Sequence, residues 1–241
     1  MRKTTVATLT AVGLLSLFAS NAHAQAVAGA LQLGMGTGLV NYTNPSFTQH
    51  RAADYKQENP TTTWGFASRN GVTLEGGYGL NDMFVIGGLM QLGGWSQSAE
   101  TTPPGDGTTK VKSSTFDLFL GPKLDVMFMP DSRVRPFVGG AIGFAHYGVS
   151  QETTAPLGAG TVTRKDFDGA WNGVGFLGRA GIRWFLTPGF SIDPALVFSY
   201  TALSGSMNYP VAPAGATVNY DTPASSYMLG LNVGLSGWVG L

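Results

Sequence analysis

Cysteine is absent from the 241-residue chain. That excludes a thiol nucleophile, a thiolate metal site and a thioether haem attachment. Histidine is scarce as well, limited to His23, His50 and His146, so a multi-histidine metal centre within one chain is not expected. Charge is the third shortage. Only 12% of residues are Asp, Glu, Lys or Arg, about half the roughly 25% of a soluble globular domain. The 14 basic and 14 acidic residues balance, which leaves no basic surface to neutralise nucleic-acid phosphates. No nucleic-acid partner, cofactor or metal is therefore expected. What is abundant is glycine, 35 residues or about twice the usual share, in a chain that is 43% hydrophobic. Such a chain has too many apolar residues for disorder and too few charges for a soluble surface of its size.

Residues 1–24 read as a secretory signal peptide. Arg2 and Lys3 form a positive start, Ala11 to Ala19 an apolar run, and Ala22-His23-Ala24 a small-x-small cleavage pattern. The apolar run is too short to span a bilayer, which takes about 20 residues. Cleavage after Ala24 leaves a domain of residues 25–241 with 12 basic and 14 acidic residues, a net charge of −2. No later stretch is apolar for the length of a membrane helix.

Beyond residue 24 the recurring signal is alternation with a period of two, in segments of about ten residues. Eight such segments stand out. The first sets Leu31, Leu33, Met35 and Leu39 against Gln32, Gly34, Gly36 and Gly38. The last sets Leu229, Leu231, Val233, Leu235, Val239 and Leu241 against Gly230, Asn232, Gly234, Ser236 and Gly240. Short turns fall near residues 81, 131 and 188. Long connections rich in Thr, Ser, Pro, Gly and Asn span roughly 41–69, 96–113, 150–171 and 201–226. Within them, Pro103 to Gly107 and Pro210 to Gly215 are turn formers, whereas Trp64-Gly65-Phe66 is a candidate extension of the sheet above the membrane.

Short turns at one end and long loops at the other predict an all-β fold, an eight-stranded antiparallel up-and-down transmembrane β-barrel. An even strand count places both termini at the short-turn, periplasmic end, and the long loops outside the cell. A soluble barrel would carry a charged outer face. Here the polar face is mostly Gly, Ala and Ser, which suits the crowded interior of a small barrel, and the apolar face meets lipid. Val85, Leu89, Phe119, Leu177 and Val197 break this parity by falling on the inward set. Two aromatic girdles are expected: Phe84, Phe128, Trp184 and Phe190 near the short turns, and Trp95, Phe144, Tyr147, Trp171, Tyr200 and Tyr227 near the loop ends. A ten-stranded barrel follows instead if 41–69 forms its own hairpin.

The Gly-rich segment Arg135-Pro136-Phe137-Val138-Gly139-Gly140-Ala141-Ile142-Gly143 and the alternating last strand resemble small outer-membrane β-barrels of Gram-negative bacteria, the OmpA-like and OmpW-like proteins. The resemblance covers the whole chain after the signal. It implies residence in the cell outer membrane among outer-membrane lipids, as a monomer. It also implies recognition of the last strand by the barrel-insertion machinery, through Leu231, Val233, Leu235, Val239 and Leu241. Relatives usually end in an aromatic residue, whereas this chain ends in Leu241. No appended peptidoglycan-binding domain is expected.

Functional candidates concentrate on the inward face. Glu75, Asp117, Lys123, Asp125, Arg179, Arg183 and Asp193 all point into the lumen by parity, and four acids against three bases nearly cancel, as buried charges must. Arg183 and Asp193 are expected opposite each other across the short turn near 188, in one network in the lower lumen, with Asp117 higher up. A static plug is favoured over a conduit with a gate of exchangeable pairs. His146 is the one residue in a position used by lipid-modifying barrel enzymes. Position 148, where a serine nucleophile belongs, is Gly, so no catalytic role is expected. The function expected is non-enzymatic, structural or surface-interacting, with limited small-solute passage. A narrow OmpW-like channel for small hydrophobic molecules is the alternative, and a lipid A-modifying enzyme ranks below both.

Overall fold

A computed structural model of the protein describes residues 27–50, 54–58, 61–64, 71–102, 107–157, 160–211, 216–221 and 223–240. The expected signal peptide, Gly65, Phe66 and Leu241 lie outside this set. Eleven strands follow in chain order: β1 Ala30–His50, β2 Asp54–Glu58, β3 Thr61–Trp64, β4 Val72–Gly79, β5 Phe84–Thr101, β6 Thr109–Met127, β7 Val134–Leu157, β8 Gly160–Thr187, β9 Phe190–Val211, β10 Ala216–Asp221 and β11 Ala224–Gly240.

Eight of them form a ring, β1–β4–β5–β6–β7–β8–β9–β11, closed by the antiparallel pairing of β11 with β1. Closure leaves the membrane-spanning part no sheet edge whose backbone groups would go unpaired in lipid. The 41–69 segment does not enlarge the ring to ten. β1 runs up through it, and β2 and β3 return along β1 above β4, with Trp64 opposite Val40 and Val72 opposite Thr37. β10 likewise pairs only with β9.

Three tight connections join β4 to β5, β6 to β7, and β8 to β9 at the end that also holds both described termini. The first is fixed by Asn81, whose side-chain oxygen accepts from the Met83 and Phe84 amides at 2.9 and 2.8 Å. At the other end the described parts of the long connections are themselves β-structure. β5 and β6 stay paired from Phe84↔Val126 out to Thr101↔Thr109, and β7 and β8 out to Leu157↔Gly160. The described parts of the long connections expected at 96–113, 150–171 and 201–226 are thus largely paired strand. Once above lipid, both faces of a strand meet water, so the alternation that marks a strand disappears while the ladder continues.

The register is staggered. Stepping from Met35 across Leu74, Met90, Leu120, Phe144, Val174, Ala202 and Ser225 returns to β1 at Ser46, eleven residues farther along. One of the eleven is Leu39, extra at a bulge where the pairing shifts between Gly38 and Val40. The bulge re-phases β1, so that Asn41 is buried inside the barrel.

Parity sorts the remaining side chains. Leu33, Leu120, Ile142, Val174 and Leu196 stand exposed on the outer wall, with the aromatic rings of Phe84, Phe128 and Trp184 at its lower end and Phe144, Tyr200 and Tyr227 at its upper end. The five residues that broke the alternation, Val85, Leu89, Phe119, Leu177 and Val197, are buried within the lumen. Tyr147 and Trp171 are corrected from girdle to interior. Trp171 is fully buried and its ring stands 5.8 Å from that of Tyr147.

Candidate functional site: the lumenal ion-pair network

β4, β6, β8 and β9 each project inward charges at the level just above the tight turns. Lys123 on β6 reaches Glu75 on β4 at 2.8 Å and Asp125 at 3.2 Å. Arg179 on β8 contacts Glu75 at 2.7 Å and grips Asp125 with two nitrogens, Nε at 3.0 Å and Nη2 at 2.5 Å. A fork of two parallel donors suits a carboxylate and fixes the guanidinium plane. Register partners Gly181↔Ala195 and Trp184↔Ile192 set Arg183 opposite Asp193, and Arg183 Nε donates to Asp193 at 3.1 Å. Arg183 also lies 3.8 Å from Asp125, which links the two groups of charges.

Neutral residues complete the circuit. Gln32 on β1 donates to Glu75 at 3.0 Å and to Ser236 at 3.1 Å, and accepts from Lys123 at 2.8 Å. Ser236 on β11 donates to Asp193 at 2.7 Å. Six of the eight ring strands thus contribute a polar side chain to one connected network. Its three carboxylates face three cations, so the desolvation cost of each charge is offset by close opposite charge and hydrogen bonds. Aromatic rings fill the gaps. The Arg183 guanidinium lies 5.0 Å from the Phe137 ring centroid and 4.9 Å from that of Trp238, and Arg179 lies 5.4 Å from Phe137. Met127 Sδ accepts from Arg183 Nη1 at 3.2 Å.

Below the network the floor is packed. Arg135 is buried over Phe185 at 5.0 Å and donates from Nε to the Ser132 carbonyl at 3.0 Å. Phe185 meets Trp238 at 5.8 Å between ring centroids, and Trp238 Nε1 donates to Ser191 at 3.2 Å. Val27 is buried against this end, its amide held by Asp82 at 2.9 Å. Above the network come Leu89, Leu177, Val197, Ala141 and Phe119, then Leu203 and Trp171, all in one apolar cluster.

Six of the seven charged candidates are therefore joined. Asp117 stands apart, six residues up β6 from Lys123 and level in register with Gly93 and Tyr147. Gln32, Ser236, Arg135, Phe137 and Trp238 complete the site beyond the seven charged candidates. Inward parity is the sequence signal for Gln32 and Ser236, but without charge it does not set them apart from other inward residues. On β11, Leu231 and Val239 are exposed on the outer wall, and Val233 and Leu235 are half-buried. His146 lies on the outer wall too. Its Nδ1 is 2.8 Å from the Asn172 side-chain oxygen, while the nearest serine on its own strand, Ser150, pairs with Ser114 at 2.8 Å. Among the described residues no group of three His, Cys, Asp or Glu side chains could hold a metal ion.

The model of the outer membrane protein beta-barrel domain family matches residues 10–235. Among solved structures, the outer membrane protein OprG from Pseudomonas aeruginosa is similar at 13% identity and a TM-score of 0.47, covering 89% of this chain and 97% of that one. The outer membrane protein AlkL, determined in lipid bilayers, is similar at 13% identity and a TM-score of 0.45, covering 92% and 94%. The outer membrane protease OmpT from Escherichia coli is similar at 8% identity and a TM-score of 0.43, covering 87% and 97%. No curated protein sequence matches the chain. With most of its length matched by the family model and its eight strands closed into one ring, the chain belongs to the outer membrane protein β-barrel domain family, whose place is the cell outer membrane.

Proposed function

We propose that this protein is a non-enzymatic barrel with a closed lumen, serving a structural or surface-interaction role and passing small solutes at most rarely. The observation that carries the reading is the filling of the lumen at three successive levels. Phe185, Trp238 and Arg135 pack the floor, the Glu75–Lys123–Asp125–Arg179 cluster spans the bore above them, and Leu89, Phe119 and Trp171 fill the upper part. An eight-stranded barrel is just wide enough for side chains to occupy its interior, and side chains locked by ion pairs on several strands stand across the route water would take. Activity toward partners then belongs to the tall β5–β6, β7–β8 and β9–β10 hairpins on the outer side, because exposed connections on a rigid scaffold are where binding residues gather.

In the same reading the protein is a monomer, and the outward face of β11 is what the barrel-insertion machinery engages, through Leu231, Val233, Leu235 and Val239, with Leu241 following. Single-channel recording in planar lipid bilayers tests the closed lumen. Rare, small openings are expected. A steady open level would overturn the reading in favour of a narrow channel for small hydrophobic molecules. Mass analysis of lipid A from cells with and without the protein is expected to show no difference, and a modified lipid would make it an enzyme.

A further inference from the structure

The outer wall of β6, β7 and β8 carries a polar tile directly above its apolar belt. Register sets three short rows side by side. Phe116, Gly148 and Ala170 lie level, Ser114, Ser150 and Asp168 come next, and Lys112, Glu152 and Lys165 stand above them. At the lower edge His146 pairs with Asn172 at 2.8 Å, and its ring packs against Phe116 with centroids 5.9 Å apart. That hydrogen bond engages Nδ1 and leaves Nε2 turned toward Gly148. A Cβ placed at Gly148 would meet His146 Nε2 at 3.6 Å and nothing nearer. Gly148 and Ala170 therefore floor a shallow recess edged by an aromatic ring, an imidazole and an amide. The hydrogen-bonded hydroxyls of Ser114 and Ser150, 2.8 Å apart, close its upper side.

The chemistry of the rim selects the ligand. The rim holds both donors and acceptors, and its charges cancel: Lys165 lies 3.5 Å from Asp168, and Glu152 stands between Lys112 and Lys165 in register. A surface with both carboxylates and ammonium groups has no preference for a net anion, whereas hydroxyl-rich molecules can donate to one set and accept from the other. Immediately below, on the same three strands, Leu120, Ile142, Phe144, Val174 and Phe176 present an exposed apolar wall that faces lipid acyl chains. A ligand that fits both parts is an amphiphile with a sugar headgroup. We propose that this tile is a binding site for the saccharide headgroup of a glycolipid in the outer leaflet, its acyl chains lying along the wall beneath. The site is independent of whether the lumen is open.

The test uses the full chain folded into vesicles of equal parts lipopolysaccharide and phosphatidylethanolamine, then extracted in mild detergent, with retained lipids counted by mass spectrometry. Glycolipid is expected to be retained over phospholipid. Gly148→Leu fills the recess from outside the barrel and is expected to reduce glycolipid retention about tenfold, with phospholipid unchanged. Gly88→Leu is the matched control, since Gly88 also faces lipid and its added Cβ would come no nearer than 3.9 Å to another atom. It should retain glycolipid as the wild type does, and heat-modifiable gel migration verifies that both variants are folded. Equal retention of the two lipids by the wild type, or a Gly148→Leu variant that retains as much glycolipid as Gly88→Leu, overturns the proposal. Glycolipid stripped of its phosphates should bind as well as the intact molecule. Loss of binding on dephosphorylation would replace the saccharide site with a phosphate site.

Discussion

The lower and upper halves of the lumen are built on the same strands and filled with different chemistry. Near the tight turns, charges from β4, β6, β8 and β9, the Gln32 amide on β1 and the Ser236 hydroxyl on β11 form a connected circuit in which each carboxylate has more than one partner. Higher up, Leu89, Leu177, Val197, Phe119 and Trp171 fill the same bore with mostly apolar volume, beside the inward Asp117. The two fillings respond differently to damage. Removing an apolar side chain leaves a cavity whose cost scales with its size, and neighbours relax into it. Removing one charge leaves its partners buried with an uncompensated opposite charge, and no relaxation within the wall replaces what is lost.

The largest effect that tests this contrast is expected from Arg183→Ala. It strands Asp193 in the floor of the network and should cost about 4 kcal/mol, read as a shift in the urea unfolding midpoint in lipid vesicles. The double variant Arg183→Met with Asp193→Leu should be more stable than Arg183→Ala alone, because no uncompensated charge remains. A double variant less stable than the single one would show that the pair is held by packing rather than by charge. In the upper half, Trp171→Ala should cost about 3 kcal/mol, and Trp171→Phe markedly less in the same assay. If both cost the same, a contact specific to the indole, rather than its volume, carries the packing of the upper half.

Gln32→Leu sharpens the boundary of the circuit. It removes a donor shared by Glu75 and Ser236 and an acceptor for Lys123 without altering a charge, and should cost about 2 kcal/mol in the same unfolding experiment. The smallest effect belongs outside the lumen. Lys110 and Glu100 also form an ion pair, at 3.1 Å, but their side chains are 51% and 58% exposed. Lys110→Ala should shift stability by less than about 0.5 kcal/mol, and that small change should vanish at high salt. A cost comparable to Arg183→Ala would mean that burial is not what separates the two kinds of pair.

Much of this architecture was legible from alternation alone. Eight period-two segments became the eight ring strands, and inward parity singled out Glu75, Lys123, Asp125, Arg179, Arg183 and Asp193 as side chains facing one space. The parts that escaped share physical reasons. Tyr147 and Trp171 lie on inward parity near the upper end, where position suggested a girdle, and in the fold parity prevails because a strand cannot turn one side chain without a bulge. Leu39 is such a bulge, and the run Leu31-Leu33-Met35-Leu39 carries no mark of it. Gln32 and Ser236 went unnoticed because an uncharged group gains significance only once its charged neighbours from β4, β6 and β9 are in place. The strands above lipid carry no period-two signal because Thr, Ser and Lys on both faces leave no contrast.

The return of the register to Ser46 rather than to Met35 also determines the geometry of the bore. An offset of ten residues, with the bulge residue left out, over eight strands means a strand tilt of about 40° and a backbone radius of about 8 Å for ordinary strand rise and spacing. Tilt explains why the network joins residues that are not cross-strand neighbours. The row through Glu75 continues to Leu89 and Gly121, yet its carboxylate meets Lys123, two residues farther down β6, because a level plane cuts obliquely through the ladders. It also makes the calibre a whole-number property of the wall. The barrel cannot dilate by degrees: a wider pore requires an entire strand to slip by two residues against its neighbour, breaking the full ladder between them. In the folded wall, side-chain size and conformation are the adjustable determinants of what fits through it.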